Sequence, residues 1–176
     1  TAVEQIEALD VIEQKAVEEN SKFINLKDEY QLIKGSADLR ENTICLQRFG
    51  QNKKIYKLSL LGEHQAINTA LALRSIEEIS TEFPVGKQEI RKALADIYWP
   101  GRMEKISEKP FIILDGAHNP AAFRELAKNI SHSASDFNDL HLVFSVLKDK
   151  DLDAILDQFI DFDLSPEFYV AENNSF

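Results

Sequence analysis

The sequence has one cysteine, Cys45, in 176 residues. That excludes an intrachain disulfide and points to a reducing compartment, with Cys45 read as a thiol filling the core. Basic residues are also scarce: 20 Lys and Arg stand against 30 Asp and Glu, a formal net charge of -10. Such a balance repels phosphate backbones, and with no basic stripe in sight nucleic acid is not expected as a partner. No apolar run approaches the roughly 18 residues that a membrane span needs, and the first segment is too acidic for a signal peptide. The expectation is therefore a cytoplasmic protein with no membrane partner. Internal repeats and low-complexity segments are missing as well.

What is present is a real core composition, 44% apolar, in a chain long enough for one ordinary domain or two small ones. Val3, Ile6, Leu9, Ile12 and Val17 recur near helical spacing, so the first segment reads as an amphipathic helix whose stripe needs a partner surface. "TICLQRF" (43–49) and "IYKLSLL" (55–61) flank the turn-forming "GQNKK" and read as a β-hairpin. "EHQAINTALALRSIEEI" follows Gly62 as a buried helix with Ile67, Ala70, Leu71 and Ile76 on its apolar face, and "KQEIRKALADI" (87–97) makes a second helix that stops at "WPG". Beyond it the pattern alternates: strand 111–115, helix 120–130, strand 140–146, helix 152–160, strand 168–171. Apolar strands separated by helices imply βαβ units and a parallel sheet covered on both faces. The class expected is α/β, with a boundary near Pro100 that divides 1–99 from 100–176. The first residue is not Met, and a three-stranded sheet would leave an open edge, so the chain is expected to be a piece of a longer one.

In open parallel sheets ligands sit beyond the carboxyl ends of strands, where helix N-termini favour phosphate. "DGAHNP" (115–120) takes that position. Asp115 can accept from the two hydroxyls of a ribose, Gly116 lets a ligand approach the backbone, and Pro120 suits the first turn of the next helix. His118 can stack on a base or donate to a phosphate, and Arg102 in the "PGR" turn can fork onto phosphate oxygens. Against this stands a plainer reading: Asp115 and Asn119 cap the helix beginning at Pro120, while Arg102 is a solvated surface residue and His118 a structural one. No GxGxxG is present, so spacing alone gives a weak nucleotide signal.

Four segments in order, "LLGEHQAINTALA" (60–72), "WPGRME" (99–104), "DGAHNP" (115–120) and "LKDKD" (147–151), resemble the folylpolyglutamate synthase/dihydrofolate synthase family within the Mur-ligase superfamily. The resemblance implies that residues 1–99 form the end of a central ATPase domain, hairpin plus helices. It implies that residues 100–176 begin a Rossmann-like C-terminal domain that folds over the nucleotide. By position in the motifs, Asn68 is similar to the family's asparagine that contacts ATP. Arg102 is similar to its phosphate-binding arginine, Asp115 to its ribose-binding aspartate, and His118 to a further nucleotide-cleft residue. His64 and Gln65, one turn before Asn68, are read as a helix cap region packing on the hairpin, and 149–151 are given no chemistry.

The family's reaction joins a folate or dihydropteroate to L-glutamate. ATP phosphorylates the carboxylate to an acyl phosphate, and Mg²⁺ absorbs charge. The implied cofactors are thus ATP and Mg²⁺, with the metal's ligands outside this chain. The implied partners are the small-molecule substrates, with the protein a monomer. The family's glycine-rich phosphate loop is not in this sequence, which carries no GxxxxGK[ST], so no catalytic residue is assigned and the chain by itself is expected to be inactive. Two other readings are a nucleotide-binding regulatory module without turnover and a metal site built from Glu63, His64, Asp115 and His118.

Overall fold

The computed structural model describes residues 1–36, 38–145 and 151–171. These divide into two units, the first made of Thr1–Gly35, Thr43–Lys57 and His64–Asp96, the second of Ser36–Asn42, Leu58–Glu63 and Ile97–Phe176. The second unit thus takes two short segments from the earlier half of the chain besides everything after Ile97.

In the first unit, helix α1 (Ile6–Glu18) buries none of its residues, and Ile6, Val11 and Val17 stay exposed. A single turn, α2 (Leu26–Glu29), is opened by the Asn25 side chain accepting from the Lys27 amide. Strands β1 (Tyr30–Gly35), β2 (Asn42–Arg48) and β3 (Lys54–Leu58) then form a sheet in sequence order, with β1 antiparallel to β2. The expected hairpin is present as β2 and β3. Strand β1, which the sequence reading left unassigned, extends it. Alternation along β2 sends Asn42, Ile44 and Leu46 inward. Cys45 falls on the opposite side of that pleat and is only partly buried, so it is not the core-filling thiol expected.

Helix α3 (Gln65–Ile79) buries Ala66, Thr69, Ala70, Leu73 and Arg74, spaced three and four apart. Ile67, expected on this face, points to solvent. Arg74, two turns further along nearly the same line of the helix, is buried and held there by carboxylates. Its Nε donates to Glu29 Oε2 at 2.6 Å, its guanidinium also pairs with Glu78, and Arg48 donates to the same Glu29 oxygen at 2.6 Å. The Arg74 hydrogen bond holds the Glu29 carboxyl below the usual carboxylate range, and Glu29 in turn raises Arg74. Helix α4 (Lys87–Asp96) closes the unit with Leu94 buried.

The second unit begins its regular structure with β4 (Glu104–Glu108) and β5 (Phe111–Leu114), paired antiparallel with Glu104 opposite Leu114. Helix α5 (Pro120–Ser131) follows, then a 3-10 turn at Ala134–Asp136, β6 (His141–Phe144), α6 (Leu152–Ile160) and β7 (Glu167–Val170). Strands β6 and β7 are parallel, as a βαβ unit requires. The expectation of three parallel strands needs correction, because among the described residues β5 pairs with β4 and not with β6. "MEKISE" carries charge at Glu104, Lys105 and Glu108, and strand character there comes from its partner rather than from its own composition.

The core of this unit lies under α5 and α6. Phe123, Leu126 and Ala127 from α5 meet Ile155 and Phe159 from α6, together with Phe144 of β6 and Met103. Phe123 packs edge-on to Phe144 and Phe159, at centroid distances of 6.2 and 6.1 Å. Each such buried ring stabilises by about 1.5–3 kcal/mol. Of the "LKDKD" motif, residues 147–150 lie outside the described residues. Asp151 caps α6, its carboxylate accepting from the Ala154 amide at 3.0 Å.

Candidate functional site

The antiparallel register of β4 and β5 explains how the "PGR" turn and the "DGAHNP" loop meet. Because Glu104 faces Leu114, the residues just before Glu104 lie beside those just after Leu114. The Gly116 amide donates to Gly101 O at 2.7 Å, and the Met103 amide donates to Asp115 Oδ2 at 2.8 Å. The other carboxylate oxygen, Oδ1, accepts from the Ala117 amide at 2.8 Å. Asp115 therefore ties the turn to the loop and shapes the loop as well. It does not cap α5. That role falls to Asn119, whose side chain accepts from the Ala122 amide at 2.9 Å, with Pro120 in the first helical turn.

Two glycines are needed for this geometry. Gly101 has a φ of +68°, in the region that side chains with a Cβ avoid. A Cβ on Gly116 would stand 3.2 Å from Gly101 O, so the close neighbour at Gly116 is the chain's own carbonyl. Met103 adopts a φ of +45° although it is not glycine, with its side chain buried in the core and its amide held by Asp115.

Glu104 completes the turn. Its Oε2 accepts from the Gly101 amide at 2.9 Å and its Oε1 from the Tyr98 hydroxyl at 2.8 Å. The Gly101 amide, aided by the tyrosine, holds the Glu104 carboxyl below its usual range, and Glu104 pushes the Tyr98 phenol up. Sequence reading missed Met103 and Glu104. Both are inside "WPGRME", but their function depends on backbone donors that no residue pattern displays.

Arg102 projects from this turn, exposed, and makes no hydrogen bond or ion pair among the described residues. His118 is also exposed, with Nδ1 3.0 Å from Gly116 O. A carbonyl can only accept, so Nδ1 carries the proton, and Nε2 of the neutral ring is left as an acceptor. The structure thus brings Arg102, Asp115 and His118 together around one backbone staple. Asp115 has carboxylate lone pairs beyond the two that the amides use.

Asn68 stands in the first unit, exposed in the opening turn of α3. Its Nδ2 donates to Gln65 Oε1 at 3.0 Å, and Gln65 Nε2 lies 3.0 Å from His64 Nε2. His64 occupies the N-cap position without capping through its side chain, and Gln65 is buried. The pair therefore holds the exposed Asn68 side chain through its Nδ2. As for a metal, no group of three His, Cys, Asp or Glu able to hold an ion forms among the described residues. The set Glu63, His64, Asp115 and His118 does not make a site, and Mg²⁺ has no cradle in these residues. No described helix is long and apolar enough to cross a membrane.

Residues 101–165 match the family model described as Mur ligase, glutamate ligase domain. The dihydrofolate synthase/folylpolyglutamate synthase of Mycobacterium tuberculosis is 33% identical over 84% of this chain and 31% of its own length. The Bacillus subtilis protein of the same name is 32% identical over 85% of this chain and 35% of its length. The chain therefore spans about a third of the curated relatives it matches. Among solved structures, Mycobacterium tuberculosis folylpolyglutamate synthase complexed with ADP superposes with a TM-score of 0.78 at 28% identity, covering 99% of this chain and 38% of that one. A folylpolyglutamate synthase complex with AMPPCP and folate gives 0.74 at 27% identity over 90% of this chain and 38% of the other. With the ordered motifs, the turn-to-loop staple and these likenesses in agreement, the chain belongs to the folylpolyglutamate synthase/dihydrofolate synthase family.

Proposed function

We propose that this chain serves an ATP-dependent ligase that adds L-glutamate to folate, to dihydropteroate, or to both, through an acyl phosphate. Residues 100–176 are its Rossmann-like nucleotide-facing part, and 1–99 belong to the central ATPase domain. The observation that carries the reading is the staple of Asp115 to the Met103 and Ala117 amides, which ties the turn that carries Arg102 to the loop that carries a half-buried carboxylate. Relatives with this stretch of chain include one complexed with ADP and one with AMPPCP and folate.

In this reading Asp115 receives the ribose hydroxyls on the lone pairs its two amides leave open. Arg102 has no carboxylate partner among the described residues, so its fork of N–H donors is available to phosphate oxygens. His118, with Nδ1 committed to Gly116 O, offers its ring face to a base or Nε2 to a donor on the ligand. Asn68, held through its Nδ2 by Gln65, contacts ATP. These groups bind and orient, and no general base or nucleophile is assigned to them. Mg²⁺ supplies charge neutralisation to phosphoryl transfer in such a ligase. Among the described residues there is no ligand set for it. The protein is proposed to be cytoplasmic and monomeric.

The test is ADP release by the full-length ligase that contains this chain. Dependence on both L-glutamate and a folate or dihydropteroate supports the proposal, with a loss of at least tenfold in Asp115→Ala and Arg102→Ala. Glutamate-independent release would overturn it. The chain by itself, without a GxxxxGK[ST] loop, is expected to show no turnover.

A further inference from the structure

A second concavity, unrelated to Arg102, Asp115 and His118, lies wholly within the first unit, with a volume of about 430 Å³. That is within the range of sites that hold small molecules. Its wall collects four cations, Arg48, Lys54, Lys87 and Arg91, against one carboxylate, Glu77. This concentration is unexpected in a chain of net charge -10.

Arg48 is already matched by carboxylates, its Nη1 donating to Glu77 at 2.8 Å and its Nη2 to Glu29, and Glu77 also faces Arg74 at 3.9 Å, so the cations left uncompensated among the described residues are Lys54, Lys87 and Arg91. Lys54 and Lys87 make no hydrogen bond or ion pair among the described residues. The two guanidiniums are held in place by aromatic faces: Arg48 lies 5.7 Å from the Tyr30 ring centroid and Arg91 lies 5.0 Å from that of Tyr56. Arg91 spends one N–H on Ile55 O at 2.7 Å and keeps the others. Both tyrosines line the cavity, and neither phenol is hydrogen-bonded among the described residues. Burial pushes both phenols up, so they remain neutral donors at neutral pH. Leu46 and Leu73 supply a buried aliphatic floor. Every polar group around this floor other than Glu77 and two side-chain amides is a cation or a phenol.

We propose that this cavity binds a small organic polyanion, a carbon frame bearing two or more carboxylate or phosphate groups that are met by Lys54, Lys87 and Arg91. Cations converging on a concave, partly apolar wall focus the field there, so a multivalent anion gains from several of them at once while a monovalent one gains little.

The experiment is an amide-resolved NMR titration of the full chain with citrate, with 2,3-bisphosphoglycerate and with acetate, at two ionic strengths. Citrate, the bisphosphate or both should give saturable shifts at the cavity residues, at least tenfold tighter than acetate and weaker at higher salt. Whichever binds more tightly identifies carboxylate or phosphate as the preferred group. The Lys54→Ala/Lys87→Ala variant removes two exposed side chains that support nothing else in the fold, and it should weaken binding at least tenfold. Arg91→Lys, which keeps the charge and loses the fork, should weaken it by a smaller factor. Equal affinity for acetate, shifts centred elsewhere, no saturable shift, or unchanged affinity in the double variant would each overturn the proposal.

Discussion

Asp115 Oδ2 accepts the Met103 amide at 2.8 Å and, with the Gly116 amide on Gly101 O, joins the turn that carries Arg102 to the loop that carries His118. The carboxylate thus has a structural duty beside the ligand duty proposed for it. The two are separable by experiment.

Asp115→Asn keeps one carbonyl oxygen as an acceptor and so orphans one of the two backbone amides. Hydrogen bonds to charged groups contribute about 1.5–3 kcal/mol each, so a loss of this order in unfolding free energy is expected, read as a lower urea midpoint. ADP affinity should fall at least tenfold in the full-length ligase. An unchanged midpoint together with weaker ADP binding would show that the staple is not a stabilising element.

Arg102→Ala should do the reverse. The side chain is exposed and partner-free, so stability should change by no more than about 0.5 kcal/mol. Nucleotide affinity should drop. Arg102→Lys should restore only part of it, because an ammonium cannot form the two parallel bonds of the guanidinium fork. Isothermal titration with ADP checks both variants.

Gly101→Ala places a Cβ at a φ of +68° and is expected to cost about 1–2 kcal/mol. Gly116→Ala has no such conformational cost but sets its Cβ 3.2 Å from Gly101 O, so the Gly116-to-Gly101 hydrogen bond must lengthen. Thermal melts should rank Gly101→Ala as the less stable. Amide exchange at Gly116 should accelerate in both.

Stability should also depend on pH through Glu29. Its folded-state pKa is lowered, chiefly by the Arg74 hydrogen bond, so its contribution is fully present above the usual glutamate range. It is lost as pH falls through that range and below it. Arg74→Met removes the main cause, so wild type should exceed the variant clearly at pH 7 and the gap should shrink in acid. Urea midpoints at the two pH values decide, and a gap that stays constant would place the effect of Arg74 in packing instead.

The periodicity of "PAAFRELAKNI" and "LDAILDQFI" suffices to predict α5 and α6, because an amphipathic stripe encodes a helix locally. The family could likewise be read from the chain, since its four motifs are contiguous strings whose order survives without a structure. The roles proposed for Arg102, Asp115, His118 and Asn68 rest on the same strings. What the sequence could not settle was pairing. Strand β4 is too charged to be recognised alone, and its antiparallel register with β5 is what brings "PGR" and "DGAHNP" side by side. The burial of Arg74, the exposure of Ile67 and the place of Cys45 also escaped, because each depends on which face a neighbouring element covers. Local pattern determined elements and motifs. Tertiary structure decided partners, since hydrogen bonds between segments distant in sequence depend on register and approach, which no single segment carries.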